Sequence, residues 1–174
     1  ISFALPDFGK TTSISPTDLG SALHELMQKI DLSRPISRSH LAETLTSLPQ
    51  EAAVKKQIDL HKVQQFFQTP LGQEILAHKD KVHREAPFAM LKKDEASGED
   101  FVIRGIIDGY ILYEDRIVLF DYKTDRYQNH TQLRERYQEQ MALYQEALSQ
   151  AYGIRQVDCY LILFGGQDLE VIHL

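Results

Sequence analysis

Apolar residues recur at helical spacing through the first half of the chain. In residues 19–30 the apolar positions lie three or four residues apart, and Thr17-Asp18 supplies a helix-start signal before them. The same pattern predicts three more helices, at about 38–49, 52–68 and 71–78. Residues 1–15 combine Pro6, Gly9 and a cluster of Thr and Ser, so they are expected to be an irregular lead-in to a helical part at 16–78.

The pattern changes to that of strands in the second half, where stretches are rich in Ile, Val, Leu, Phe and Tyr. Five strands are predicted, at 83–91 (bent or interrupted at Pro87), 101–113, 116–123, 157–164 and 169–174. A long helix at about 131–152 precedes the last two strands, and Gly153 is a suitable stop for it. Helices flank the strands at both ends of the sequence, so we expect an α/β domain with a central mixed sheet covered by helices.

Length, charge and cysteine content narrow the class of protein. A chain of 174 residues suits one domain, and the lack of an initiator Met leads us to expect a fragment of a larger protein. The formal net charge of −6 argues against a domain that binds nucleic acid on its own. It argues less against a domain to which DNA is delivered. Cys159 is the only cysteine, so no internal disulfide and no iron–sulfur cluster is expected.

Two aspartates and a lysine are expected to meet on one face of a hairpin formed by 101–113 and 116–123. If the chain turns at Glu114-Asp115, residues whose numbers add up to 229 lie opposite each other, and Asp108 and Asp121 form such a pair. Lys123 lies two positions beyond Asp121 and therefore on the same face. A three-residue turn would break this register, whereas a four-residue turn centred on the same point would keep it.

Two interpretations of this face remain open on the residues alone. Opposed carboxylates between apolar neighbours repel each other, and a divalent cation between them would remove the repulsion. Alternatively, Lys123 simply neutralises one aspartate in an ion pair, which is the usual explanation of an isolated Asp-x-Lys. Metal titration distinguishes the two, because an ion pair would bind Mg²⁺ negligibly.

Five short motifs, in order along the chain, resemble those of a known nuclease family. They are Gly20-x-x-x-His24, Glu85-x-Pro87-Phe88, Gly105-Ile106-Ile107-Asp108, Asp121-Tyr122-Lys123-Thr124 and Gln140-x-x-x-Tyr144. Together they span about residues 18–150, and their order resembles the RecB-type branch of the PD-(D/E)XK nuclease superfamily. Within that branch the sequence is most similar to the C-terminal nuclease domains of the AddA (RexA) family of helicase–nuclease subunits. The resemblance implies a restriction-endonuclease-like core with a helical N-terminal part.

The resemblance also implies hydrolysis of DNA phosphodiester bonds with Mg²⁺, a hard cation that prefers oxygen ligands. It assigns four metal ligands: the carboxylates of Asp108 and Asp121, the backbone carbonyl of Tyr122 and the imidazole of His24. The imidazole would suit Mn²⁺ as well. Lys123 would orient the attacking water and stabilise negative charge on the phosphate.

Three further residues have open roles. Gln140 and Tyr144 lie one helical turn apart, and the resemblance places them near the metal, in contact with DNA or with Lys123. Alternatively, these two residues simply form part of the buried inner face of an amphipathic helix. Glu85 is expected to contact the metal or its water, or else to pair with Arg104. For His24 the alternative is a histidine with a purely structural place on a helix.

The resemblance also implies that the chain is one domain of a larger enzyme complex. The chain would be the exonuclease domain of an ATP-dependent helicase–nuclease that repairs double-strand breaks by recombination in the bacterial cytoplasm. Its partners would be DNA, delivered as single strands by the helicase part, and a subunit of the AddB/RexB type, with no membrane. The sequence has no Gly-x-x-x-x-Gly-Lys-[Ser/Thr] loop, so no nucleotide site is expected in it. The alternative function is a catalytically inactive scaffold that binds a partner subunit.

Overall fold

The protein is represented by a computed structural model that describes residues 2–4 and 16–174. In chain order its elements are β1 (Ser2–Ala4), α1 (Pro16–Lys29), α2 (Arg38–Thr46), α3 (Ala52–Lys55), α4 (Leu60–Gln68), α5 (Pro70–Ala77), β2 (Val82–Lys93), β3 (Asp100–Leu112), β4 (Arg116–Lys123), α6 (His130–Tyr152), β5 (Gln156–Leu163) and β6 (Glu170–His173). The strands form one sheet in the order β1-β3-β4-β5-β6, with β2 also paired to β3. The pairs β1·β3 and β4·β5 are parallel and the others antiparallel, so the predicted mixed sheet is confirmed.

The long strand β3 changes partner near the predicted site. β2 pairs along one side of β3 almost throughout, from residue 100 to residue 111. The other side of β3 is divided, because β1 lies opposite residues 102–104 and β4 lies opposite residues 109–112. Asp108 is the first residue of β3 beyond the β4 ladder. Its side chain therefore lies where the sheet opens rather than in the middle of a continuous ladder.

Helices cover both faces of the sheet. The N-terminal helices pack on one face, where Phe66 and Leu26 join Val118 and Phe120 in a buried cluster. α6 packs on the other face, and its buried residues join Ile117 and Leu119. Because successive residues of β4 enter opposite clusters, this strand is apolar on both sides until it reaches Asp121.

The ends of α6 agree with the sequence signals, whereas the helix predicted over 52–68 is wrong. Gly153 adopts a left-handed conformation with a φ of 67° and ends α6. Residues 52–68 instead form α3 and α4. Asp59 caps the second of these, since its carboxylate accepts the N–H groups of His61 at 2.9 Å and Lys62 at 3.3 Å. An apolar periodicity that continues across residues 56–59 hides this break.

β2 also differs from its prediction. The strand runs through Pro87, which pairs with Ile106; an edge strand tolerates proline because it has a ladder on one side only. The irregularity lies at Glu85, whose φ is 46°, an uncommon value for a residue with a side chain. The ladder skips the position at which Glu85 faces Asp108. The unusual φ of Glu85 and the opening of the sheet at Asp108 therefore lie at the same cross-strand position.

The expectation of an irregular lead-in is wrong for residues 2–4, which form β1. Three residues paired in parallel give too short an apolar pattern to be recognised as a strand. Residues 5–15 lie outside the described part of the chain. Within the described part, no helix combines the length and the apolar character needed to cross a membrane.

Candidate active site

The hairpin of β3 and β4 has the predicted register. Tyr113 N–H donates to the carbonyl of Arg116 at 3.0 Å, which closes a two-residue turn. The ladder then runs from Leu112↔Ile117 to Gly109↔Phe120. Asp108 and Asp121 are the next opposed pair, directly beyond the last ladder position.

The carboxylate of Asp108 takes the place of a main-chain partner. Its Oδ2 accepts the N–H of Tyr122 at 2.8 Å, whereas a continued ladder would pair this N–H with the carbonyl of Ile107. The same Oδ2 lies 2.9 Å from Nε2 of His24. Asp108 thus connects the end of β4 to helix α1.

Helix α1 supplies His24 through the Gly-x-x-x-His spacing. The carbonyl of Gly20, one turn earlier, lies 2.6 Å from Nδ1 of His24. With Nδ1 donating to this carbonyl, Nε2 is the nitrogen that faces Asp108, and a metal ion bound there would replace the proton on Nε2. Gly20 also lets α1 come close to the end of β4, because an added Cβ would lie 3.2 Å from Oγ1 of Thr124.

Asp121 is buried, with only 6% of its side chain exposed. The ammonium of Lys123 lies 2.7 Å from its Oδ2, but not in hydrogen-bond geometry, and this oxygen has no hydrogen-bond donor. A buried carboxylate oxygen without a donor is costly, even when an ion pair supplies part of the missing stabilisation. Among the described residues, Oδ2 of Asp121 therefore depends on the ion pair with Lys123 rather than on a hydrogen bond.

Helix α6 encloses Lys123 from the other side. Oε1 of Gln140 accepts a hydrogen bond from the ammonium at 3.0 Å, and Nε2 of Gln140 donates to the hydroxyl of Tyr144 at 3.0 Å. The ring centroid of Tyr137 lies 3.9 Å from the same ammonium. Gln140 and Tyr144 thus occupy the inner face of α6 and also reach Lys123, Gln140 directly and Tyr144 through Gln140.

The buried charges shift one another's pKa values. Burial raises the pKa of Asp121, and the neighbouring carboxylate of Asp108 raises it further, to about 7. Burial would lower the pKa of His24, but the carboxylate of Asp108 outweighs it and raises this pKa to about 9. Burial opposes ionisation of Asp108, yet His24 and the N–H of Tyr122 hold the pKa of Asp108 below its usual value. The pair of aspartates therefore resists carrying two negative charges without a cation.

The side chains of Glu85 and Tyr122 form no hydrogen bond with the other described residues of the site. Glu85 is exposed, and among the described residues it makes no hydrogen bond or ion pair, either with Arg104 or with the site. Tyr122 buries its ring between Phe66 and Phe120, and it is the N–H of Tyr122 that contacts Asp108. The roles of the Glu85 carboxylate and the Tyr122 carbonyl stay predictions.

A set of contacts just after Lys123 lies outside the sequence motifs. Asp125 accepts a hydrogen bond from the hydroxyl of Tyr137 at 2.8 Å, and the guanidinium of Arg136 donates to the same oxygen. Gly165 packs against this segment so closely that an added Cβ would lie 2.0 Å from the carbonyl oxygen of Asp125. The only sequence signal was the position of Asp125, two residues after Lys123.

A second missed contact fixes α1. Arg84 donates from Nη1 to the carbonyls of Met27 at 3.2 Å and Ile30 at 2.6 Å, at the C-terminal end of the helix that carries His24. The neighbouring Glu85 has the unusual backbone conformation. Strand β2 thus contributes to the site through its backbone and through Arg84.

The donor set suits a divalent cation. Two carboxylates are available, one with an oxygen that lacks a donor. Nε2 of His24 lies 2.9 Å from Oδ2 of Asp108, so a nitrogen donor stands beside the two carboxylates. Among the described residues, no three His, Cys, Asp or Glu side chains are already arranged to hold an ion. His24 lies against Asp108, and Lys123 lies against Asp121.

The chain matches the family model of the PD-(D/E)XK nuclease superfamily over residues 3–168. It therefore belongs to that superfamily, as its motifs predict. Nucleases of this superfamily generally use divalent metal ions, which agrees with the donor set.

The relatives are subunits of helicase–nucleases. The chain is 55% identical over 174 residues to an ATP-dependent helicase/nuclease subunit of Streptococcus equi subsp. zooepidemicus (strain H70), covering 99% of the chain and 14% of that protein. It is 54% identical over 174 residues to exonuclease/helicase subunit RexA of Streptococcus pneumoniae serotype 4, covering 100% of the chain and 14% of that protein. The chain thus spans about 14% of the length of these relatives.

Similarity to solved structures is weaker. The crystal structure of SSO0001 aligns with a TM-score of 0.44 at 13% identity, covering 99% of this chain and 66% of that chain. At this level the alignment contributes nothing to the assignment of function.

Proposed function

We propose that the chain hydrolyses DNA phosphodiester bonds with a divalent metal ion, at a site centred on Asp108, Asp121 and Lys123. The observation that carries the proposal is the pair of enclosed carboxylates on adjacent strands, with His24 against one and Lys123 against the other. Each carboxylate has one basic neighbour, yet Asp108 still raises the pKa of Asp121, and a single structural ion pair would not need this second buried carboxylate. Superfamily membership supports the same conclusion.

Asp108, Asp121, the imidazole of His24 and the backbone carbonyl of Tyr122 are the groups that would hold the ion. Mg²⁺ is the proposed ion because most of these groups are oxygen donors, and the imidazole makes Mn²⁺ a suitable substitute. The bound ion would supply Lewis-acid chemistry at the phosphate and lower the pKa of a water molecule.

The side chains around the ion have separate tasks. Lys123 faces the site with an ammonium held by Gln140, so it can orient a water molecule and stabilise negative charge on a phosphate. The carbonyl of Gly20 holds Nδ1 of His24, so that Nε2 is the ring nitrogen directed at Asp108 and at the proposed ion. Glu85 is exposed opposite Asp108, a suitable place to contact DNA or metal-bound water.

We further propose that the chain acts as the exonuclease domain of an ATP-dependent helicase–nuclease of the AddA (RexA) type, in recombinational repair of double-strand breaks. The identity of 54–55% to such subunits supports this setting, and their greater length leaves room for a helicase. A partner of the AddB/RexB type and a location in the bacterial cytoplasm follow from the same relation. The net charge of −6 favours single strands delivered by the parent protein over independent capture of DNA.

The test is cleavage of end-labelled single-stranded DNA by the purified chain with Mg²⁺, Mn²⁺ or EDTA. Asp121→Ala is compared with Asp115→Ala, which removes an exposed carboxylate at the tip of the same hairpin. We expect metal-dependent cleavage by the wild type and by Asp115→Ala, and none by Asp121→Ala. Cleavage by Asp121→Ala at the wild-type rate would contradict the proposal.

An inactive scaffold is the second candidate, and the same samples distinguish it. A scaffold would cleave with neither metal, and calorimetry would detect no metal binding that depends on Asp121. The complete set of opposed carboxylates, lysine and histidine does not favour this candidate, because an inactive fold has no need of a costly buried charge.

A further inference from the structure

We propose that Tyr137, held in place by Asp125, positions the ammonium of Lys123 for cleavage; this inference rests on the proposed function of the same site. The ammonium lies 3.9 Å from the centroid of the Tyr137 ring, well within the range of a cation–π contact. Only 13% of the Lys123 side chain is exposed, so the contact is largely shielded from water and correspondingly stronger. Neither Tyr137 nor Asp125 belongs to the five sequence motifs.

Lys123 needs a neighbour of this kind because its ion-pair partner has another task. Its ammonium has three neighbours, the carboxylate of Asp121, the amide oxygen of Gln140 and the ring of Tyr137. In the proposed site the carboxylate of Asp121 is shared with a cation, and a shared carboxylate attracts the ammonium less. One hydrogen bond to Gln140 then leaves the ammonium free to swing about a flexible side chain, and the ring face restricts that movement.

Asp125 determines where the ring lies and how strongly it attracts a cation. The hydroxyl of Tyr137 donates to Oδ2 of Asp125 at 2.8 Å, which fixes the ring plane. Donation to a carboxylate also shifts electron density toward the ring, whose face becomes more negative. Burial raises the pKa of Tyr137 above its usual range, and Asp125 raises it further, so the phenol stays neutral and remains a donor.

The segment that carries Asp125 is itself fixed. The carbonyl of Lys123 accepts the N–H of Phe164 at 2.8 Å, and Gly165 packs directly on the carbonyl of Asp125. The guanidinium of Arg136 donates to the Asp125 carboxylate from the helix that also carries Tyr137. One short backbone segment therefore fixes both the ammonium, through Lys123, and the ring above it, through Asp125.

The test compares Tyr137→Leu, Tyr137→Phe and Asp125→Asn in cleavage of single-stranded DNA with Mg²⁺. Tyr152→Leu is the matched control, since it removes a tyrosine from the same helix 15 residues away, roughly 22 Å along the axis. We expect kcat of Tyr137→Leu to fall about five- to thirty-fold, the size of a desolvated cation–π contact. KM and the metal affinity measured by calorimetry should stay near wild type. Tyr137→Phe keeps the ring and should recover kcat to within a few-fold, and Asp125→Asn should lose a few-fold.

A signal that needs no activity checks the geometry. The Cε protons of Lys123, assigned by their loss in Lys123→Arg, should be shifted upfield by the ring current in the wild type and in Tyr137→Phe. In Tyr137→Leu the shift should vanish. If Tyr137→Leu fails to fold, Asp125→Asn and Tyr137→Phe carry the test, because both keep the buried aromatic ring at position 137.

Several outcomes would overturn the inference. They are a wild-type kcat in Tyr137→Leu or Asp125→Asn, an equal fall in Tyr152→Leu, a metal affinity that falls in step with kcat, and a Lys123 signal without an upfield shift. Failure of the proposed function looks different, because the wild type itself would then show no metal-dependent cleavage.

Discussion

Replacing Asp121 by Asn should stabilise the metal-free protein at alkaline pH while removing its activity. Asn has the shape of a protonated aspartate and cannot ionise. In the wild type, burial and Asp108 raise the pKa of Asp121 from the ordinary 3.8 to about 7. The folded state therefore binds a proton that the unfolded chain has already released, and the wild type loses stability as the pH rises through this window.

The size of the effect follows from the two pKa values. Once both states are ionised, above pH 7, a pKa of about 7 in place of 3.8 destabilises the folded state by up to about 4 kcal/mol. Part of this loss is already present at pH 5, because the unfolded chain ionises near pH 4. The advantage of Asp121→Asn over the wild type should thus be about 2 to 3 kcal/mol larger at pH 8 than at pH 5. His24 also loses stability at higher pH in both proteins, because Asp108, the larger of the two carboxylate causes of its raised pKa, is present in each.

The assay is urea unfolding in EDTA at pH 5, 6.5 and 8, followed by circular dichroism. Asp115→Asn, an exposed aspartate in the β3–β4 turn, is the control and should differ little from wild type at any of the three pH values. A difference between Asp121→Asn and wild type that is the same at pH 5 and pH 8 would refute the electrostatic account of the carboxylate pair.

Three further predictions concern the ion, the loop and the helix that carries His24. Mg²⁺ or Mn²⁺ at a hundred times its Kd should raise the free energy of unfolding of the wild type by about 2.7 kcal/mol and leave that of Asp121→Asn unchanged. A wild-type melting temperature that does not shift with the ion would argue against the site. Gly165→Ala should lower stability by about 1 to 3 kcal/mol and also reduce kcat, because the added Cβ collides with the carbonyl of Asp125; stability and kcat both at wild-type levels would show that the close packing is unimportant. Arg84→Ala should lower the free energy of unfolding by about 1 to 2 kcal/mol and weaken metal binding, because Arg84 holds the end of the helix that carries His24. The control is Arg104→Ala, which changes an exposed residue. Equal metal affinity in the two variants would show that Arg84 does not support the metal site.

The carboxylate pair could be predicted from the sequence because short-range rules determine it. A two-residue turn between two apolar strands fixes the pairing of every later residue, so the opposition of Asp108 and Asp121 follows from their numbers. The position of His24 could be predicted only from its motif, since α1 reaches the sheet through packing that the helical pattern does not determine.

The contacts that the sequence did not reveal depend on distant segments. Tyr137 has the same pattern as any buried residue of α6, and its contact with Lys123 exists only because the helix crosses the end of β4. The unusual φ of Glu85 lies at the cross-strand position of Asp108, and no local sequence pattern indicates it. Asp59 is the exception, because its role as a helix cap was readable locally and was masked by the continuing apolar periodicity.

The most direct test of the metal site is the anomalous scattering of Mn²⁺ in crystals of the protein soaked with that ion. We expect a peak at about 2.1 to 2.5 Å from carboxylate oxygens of both Asp108 and Asp121, with the imidazole of His24 also in contact. Crystals of Asp121→Asn should show a weaker peak or none. Saturating Mn²⁺ that gives no peak between the two carboxylates of the wild type would contradict the account.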